Sequence, residues 1–265
     1  MTSLSARALS DLPEVRAGDD LAVLIVDALD GEPARSSRPL HDGQIVVIAH
    51  KVVSKAEGAV VTLASVTPGE RAQELAAEQG KDPRAVQVVL DQSAEILRAA
   101  NGVLISRTHH GFVCANAGVD ASNTGRASET GAGETETLIV LPRDPDASAR
   151  ALRKRLRELT GAHPAVLITD SFGRAWRHGQ CDVAIGCAGM APLEDWRGRL
   201  DSVGLELRAT WIAVADAAAS CADLARAKDS REPVVLIDGL ERFVTAEDGP
   251  GAAALLRPLD EDLFR

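Results

Sequence analysis

Gln44-Ile45-Val46-Val47-Ile48-Ala49 follows the turn His41-Asp42-Gly43 and is apolar from its second residue on. A β-branched run of that length, bounded by a turn, predicts a strand buried on both faces. β-Branched residues continue over 52–63, broken by Ser54-Lys55-Ala56-Glu57-Gly58. Two strand-like runs around a charged turn are therefore expected here. Lysines in such a turn are solvated charges unless the turn delivers them to a ligand.

Working outward, Pro68 opens an expected helix to Gln79, with Thr67 as N-cap and Glu70 at the third helical position. Asp82 caps the next, with Pro83 first, and Val86, Val89, Leu90, Ile96 and Leu97 extend its apolar stripe to about Ala99. Residues 103–106 and 111–115 read as a hairpin around His109-His110. Residues 124–137 are mostly Gly, Thr, Ser and Glu, with little to bury, and read as a mobile surface loop. A strand over 137–141, a helix over 147–160 opened by Asp144 or Asp146, and a strand over 165–169 follow. Residues 170–204 are rich in Gly, Arg and Trp without steady periodicity, and long irregular segments of compact domains are commonly functional. A strand over 205–214, a helix over 216–228 and a strand over 234–238 complete the pattern, and the tail from Thr245 is weakly structured until Leu255. Helices and strands mix without a βαβ rhythm, which predicts an α+β fold with a mixed sheet. No repeat or Pro/Ser linker divides the chain. One domain over residues 1–240, made of two intimate subdomains, is expected, with a tail over 241–265.

The 265 residues are 45% hydrophobic, enough for a real core, but hold no Tyr, four Phe and three Trp. Ala, Val, Leu and Ile must fill that core. Scarce aromatics and a net charge of −10 argue against nucleic-acid and anionic-membrane partners. Any anionic ligand needs local positive charge, from side chains or metal ions. The four cysteines, at 114, 181, 187 and 221, form no CxxC pair and read as buried free thiols in a reducing compartment. The N-terminus lacks a signal-peptide pattern, and no apolar run approaches a membrane span, so a cytoplasmic location is expected.

Neither GxxxxGK[ST] nor GxGxxG occurs, so a nucleotide site would not be of a common type. Three segments concentrate small, charged and polar residues: 50–58, 111–123 and 169–186. Asp120 and Asp170 each follow a strand-like run, and two strand-end carboxylates with the Ser171 hydroxyl make a hard oxygen set suited to Mg²⁺ or Mn²⁺ on phosphates. Lys51 and Lys55 suit phosphate oxygens, and Arg174 and Arg177 suit a carboxylate or phosphate. Residue chemistry alone leaves the plainer reading open, in which these are caps, turns and solvated charges. His109-His110 reads as a surface or packing pair, the tryptophans at 176, 196 and 211 as core or interface anchors rather than flavin stackers, and His178 as a candidate substrate contact.

The strings VSKAEG (53–58), GFVCANAGVDASN (111–123), DPDASA (144–149), TDSFGRAWRHGQCDVAIG (169–186) and DWRGRLDSVGLEL (195–207) closely resemble the coenzyme F420-0:γ-glutamyl ligase family. The resemblance runs from Leu12-Pro13 to about Gly239. It implies an intertwined homodimer with its site at the subunit junction. It further implies a GTP-dependent ligase that adds L-glutamate to F420-0 through an acyl phosphate, with Mg²⁺ or Mn²⁺ and K⁺ as a further candidate ion. Carried over by position, Asp120 and Asp170 are metal ligands and Ser171 contacts a second ion. Leu12, Pro13, His50, Lys51, Lys55 and Asn123 contact GTP, and Arg174 and Arg177 are the catalytic candidates. The chain departs from the family pattern at Ala217, Lys228 and Asp238. Lys228 cannot be the carboxylate ligand that some members place nearby. Those departures leave two other readings: an amide ligase with another acceptor or amino acid, or a degenerate protein that binds nucleotide or coenzyme without turnover.

Overall fold

Ile45, Val46, Val47 and Ile48 are all fully buried, and they alternate between two cores. The strand they form is the middle of a five-stranded mixed sheet with helices on both faces, and a period of two sends neighbouring side chains to opposite sides. The structure, a computed structural model, describes residues 3–31, 39–121 and 136–262.

In chain order the elements are β1 (Ser5–Ala8), α1 (Leu21–Gly31), β2 (Ile45–Ala49), α2 (His50–Ala56), β3 (Val60–Thr62), α3 (Glu70–Gln79) and α4 (Pro83–Asp91). Then come β4 (Ser93–Ala100), β5 (Val103–Thr108), β6 (Val113–Ala115), β7 (Thr137–Ile139), α5 (Pro145–Thr160) and β8 (Ala165–Arg174). β9 (Arg177–Ala188), β10 (Leu193–Asp195), β11 (Trp211–Ala213), α6 (Val214–Leu224) and β12 (Val234–Asp238) complete the set. The large sheet has the order β1-β12-β2-β8-β9, and β2 and β8 are its parallel pair. Val46, Ile48, Val166 and Ile168 pack with Ile25 and Leu29 of α1 and Leu156 of α5. Ile45, Val47, Ala165 and Leu167 meet Val214, Ala218 and Ala222 of α6 on the other face. At Gly186 of β9 a Cβ would fall on the Pro145 carbonyl, so that glycine lets α5 lie against the sheet.

Between β2 and β8 the chain builds a second body. α3 and α4 pack Ala72, Leu75, Val86 and Val89 on Leu104 of the β4-β5-β6 sheet, and the β3-β7 pair closes a smaller cluster around Leu138 and Val140. The structure is thus α+β with a mixed sheet, as expected.

Several expected elements differ. Val52 and Val53 are helical, because β2 stops at Ala49 and α2 begins at once. Burial of Val53 in the core outweighs weak β-propensity there. α3 starts at Glu70 with Gly69 as its cap, so Thr67 caps nothing; the Gly69 N–H instead donates to Gln87 Oε1 at 2.9 Å. The stripe extended to Ala99 breaks at Asp91, and Ile96 and Leu97 belong to β4. Two register shifts in β4 disrupt the alternation of a strand and imitate a helical period. Residues 170–204 are not largely irregular: β8 and β9 continue to a tight turn at Ala175-Trp176, with Trp176 at φ 56°. Their register also shifts twice, and their outer halves face solvent, so no apolar period is left to read. Of the strand expected over 205–214 only β11 forms, and α6 ends at Leu224 rather than Lys228. The tail is tied down: Thr245 N–H donates to Gly189 O, and Asp146 accepts from Ala252 N–H. Residues 124–135 of the expected mobile loop lie outside the described residues.

Candidate functional site

The parallel register of β2 and β8 sets Ala49 opposite Thr169. The next residues, His50 and Asp170, therefore emerge side by side where the parallel pairing ends, at the carboxyl end of β2, while β8 runs on to Arg174 against β9; ligands collect at that end of an α/β sheet. His50 Nε2 lies 3.4 Å from Asp170 Oδ1, within ion-pair reach, and although the ring is buried it finds no hydrogen-bond partner at that atom among the described residues. Its Nδ1 meets Ser54 Oγ at 3.2 Å, one helical turn on.

α2 gathers two further segments. Lys51 Nζ is 2.6 Å from Asp120 Oδ2, and Asp120 is fixed by paired backbone hydrogen bonds with Ile139. One turn later Lys55 pairs with Glu14, beside Leu12 and Pro13. Leu12 packs on the main core while Pro13 is exposed. One helix of seven residues thus joins the Leu12-Pro13 segment, Asp120 from the second body and Asp170 from the sheet.

Ser171 Oγ donates to Asp182 Oδ1 at 2.7 Å and accepts from Lys228 Nζ at 2.7 Å. Asp182 is buried, takes the Thr169 hydroxyl at 2.9 Å and pairs with Arg226. Burial alone would raise the Asp182 carboxyl, but the Ser171 and Thr169 hydroxyls and the Arg226 and Lys228 charges outweigh it and hold it below its ordinary value. Burial, with the Asp170 charge, pushes the Cys114 thiol up to about 12, so that thiol is no nucleophile at neutral pH. Burial likewise raises Asp216, with the Ala184 N–H opposing it.

Arg174 and Arg177 stand at the exposed tip of the β8–β9 hairpin, where Arg174 Nη2 donates to the His178 carbonyl at 2.9 Å. The tip is four residues beyond Asp170, on the order of 13 Å along a strand, so the chain does not bring these arginines to the α2 cluster. Asn123 lies outside the described residues. His110 packs on Phe112 and meets the Pro142 carbonyl, a packing role as expected. Trp176 is 83% exposed and Trp211 half exposed, so neither is a core anchor, whereas Trp196 is partly buried. Glu14, Asp182 and Arg226 escaped the sequence reading. Recognising the hairpin would have set Asp182 opposite Ser171, but nothing local signals the other two.

Asp120, Asp170 and Ser171 offer oxygens of the hardness Mg²⁺ and Mn²⁺ prefer. Among the described residues no three His, Cys, Asp or Glu side chains gather as a ready cage. That donor set still fits such an ion, because Mg²⁺ keeps several waters and is held by one or two carboxylates plus substrate phosphates.

The family model for F420-0:Gamma-glutamyl ligase matches residues 10–239, and so spans every residue placed in the candidate site. The chain belongs to that family. The ligase is 41% identical over 263 residues to coenzyme F420:L-glutamate ligase of Methanothermobacter thermautotrophicus, covering 99% of each chain. It is 42% identical to the protein of the same name from Methanopyrus kandleri, over 95% of this chain and 94% of that one. It is 42% identical to that of Methanocaldococcus jannaschii, over 86% of each. The ligase is an amide-bond-forming enzyme, and among its described residues no helix is long and apolar enough to cross a membrane.

Proposed function

We propose that this ligase adds L-glutamate to coenzyme F420-0, using GTP. The lactyl carboxylate oxygen takes the γ-phosphoryl group, forming an acyl phosphate and releasing GDP. The glutamate amine then attacks the acyl carbon, phosphate leaves with its bonding pair, and the nitrogen loses a proton to complete the amide. The supporting observation is the single helix α2, whose His50, Lys51 and Lys55 meet Asp170, Asp120 and Glu14.

An acidic chain must supply positive charge locally, and α2 places two lysines one turn apart. With nucleotide present, these lysines neutralise phosphate oxygens, and Leu12, Pro13, His50 and Asn123 line the same subsite. Asp120, Asp170 and Ser171 would hold Mg²⁺ or Mn²⁺, which would spread the charge of the transferring phosphoryl group. Catalysis of this kind is positioning and charge neutralisation, so no dedicated general base is needed. Arg174 and Arg177 would serve carboxylates from the hairpin tip. Their distance from α2 within one chain, and exposed Trp176, Trp211, Val203 and Leu205, favour a homodimer in which the tip reaches the partner's site.

Mass spectrometry of protein incubated with F420-0, L-glutamate, GTP and Mg²⁺ or Mn²⁺ tests the reading. A product heavier by one or more glutamyl units is expected, and it should vanish with Asp120→Ala or Asp170→Ala. Ligation undiminished in both variants would refute the assignment. Binding without turnover is the second reading, favoured by the Lys228 ammonium resting on Ser171 Oγ. Steady GDP formation would eliminate it.

A further inference from the structure

The Ser171 hydroxyl has one proton, and Asp182 takes it. Both lone pairs of Ser171 Oγ are thereby turned away from the buried network. On that outward side one lone pair accepts from the Lys228 ammonium at 2.7 Å, an ammonium also held by Asp223 at 3.2 Å and lying 3.8 Å from Asp182 Oδ1. Asp182 is itself held on every side: Arg226 pairs with Oδ2, the Thr169 hydroxyl bonds the same oxygen, and Ser220 Oγ donates to its backbone carbonyl at 3.0 Å. Asp182 is buried and the Arg226 side chain only 11% exposed, so the carboxylate cannot swing away to water.

We propose that Asp182 is a positioning residue that, backed by Arg226, locks the Ser171 hydroxyl proton inward and so makes Ser171 Oγ a pure acceptor for the cation of the active site. The inference rests on the metal reading above. Asp182 needs no contact with metal or substrate. Without it the Ser171 hydroxyl rotates, and its proton then points at the ion for part of the time. An aspartate buried only to stabilise the sheet would have no reason to act through one hydroxyl, and that separates the two roles.

Mn²⁺ binding to the full chain, read by electron paramagnetic resonance of the free ion with a non-hydrolysable GTP analogue present, tests the inference. Asp182→Asn and Ser171→Ala are each expected to weaken Mn²⁺ about fivefold or more, and the double variant by no more than the larger single effect. Multiplicative losses would overturn the inference, because independent sites add in free energy while coupled ones do not. Unchanged Mn²⁺ affinity in Asp182→Asn would overturn it too. Asp182→Asn leaves the largely enclosed Arg226 without its counter-charge and can unfold. In that event the cycle runs on an Arg226→Gln background, with the same outcomes decisive. Asp170→Ala separates the two levels: unchanged affinity there refutes the metal reading and this inference together, whereas lost affinity without Asp182–Ser171 coupling refutes this inference alone.

Discussion

Replacing Arg153 with Met should unfasten the C-terminal tail from the sheet. Arg153 sits on α5 with its side chain 1% exposed. Its Nε donates to Pro164 O at 2.9 Å, Nη1 to Ala246 O at 3.2 Å and Asp248 Oδ1 at 2.7 Å, and Nη2 to Thr245 O at 2.7 Å. Three of the four acceptors belong to residues 245–248, so one guanidinium ties that segment to the helix. Methionine keeps most of the apolar stem but leaves these acceptors without a donor. A buried acceptor left without its donor costs about 1–3 kcal/mol, and with Pro164 O buried and the Thr245 and Ala246 carbonyls part-buried the three together should cost about 3–5 kcal/mol. Domain stabilities are about 5–15 kcal/mol, so the loss is a large share of the whole. At about 2–4 °C per kcal/mol for chains of this size, Tm should fall by roughly 6–20 °C. Scanning calorimetry and a urea midpoint at constant m-value measure it. Asp248→Asn is the control: its carboxylate is 45% exposed and half-solvated, so the loss should be about 1 kcal/mol or less. A loss under 1 kcal/mol for Arg153→Met, or equal losses in both variants, would refute the argument.

Burial raises the Asp216 carboxyl above the ordinary aspartate value of 3.8. Its contribution is therefore fully present below that value and lost as pH rises through the higher folded value. Asp216→Asn keeps an oxygen for the Ala184 N–H, so its Tm should gain on the wild type as pH climbs from 4 to 7; a constant difference would contradict this. Gly186→Ala should be destabilised by about 1–3 kcal/mol, because the added methyl meets the Pro145 carbonyl and α5 must shift. A denaturant midpoint matching wild type would show that α5 yields freely. Cys114 and Cys187 are buried, with thiols pushed up to about 12. Iodoacetamide at neutral pH should label Cys181 first and those two only on unfolding, as peptide mapping would reveal; early Cys114 labelling would contradict it.

Strands buried on both faces were legible because their signal is local. β2 is apolar throughout and β12 from Val234 to Ile237, so their environment is written in their own residues. α5 was legible for a similar reason, since Asp144 caps it and the Ala147 N–H donates to that carboxylate. β4 failed because two shifts in register broke its alternation. α2 failed because Val52 and Val53 carry β-propensity into a helix fixed by its place at the end of β2. Local preferences of well under 1 kcal/mol per residue cannot outweigh burial of a valine in the core.

The chemistry of the site was legible one residue at a time. Lys51, Lys55, Asp120 and Asp170 are charged groups among small residues, and a strand-end carboxylate or a lysine can be named from sequence alone. What brings them together around α2 is non-local. Asp170 meets His50 because two strands far apart in sequence run parallel with Ala49 opposite Thr169. A shift of one residue would move every side chain of β8 to the opposite face and send Asp170 away from His50. The register itself is fixed by the two cores, since Val46, Ile48, Val166 and Ile168 must share one face and Ile45, Val47, Ala165 and Leu167 the other. Residues with no chemical role therefore place the site, and a loss of apolar pattern in β2 or β8 would disperse the charged cluster without touching any member of it.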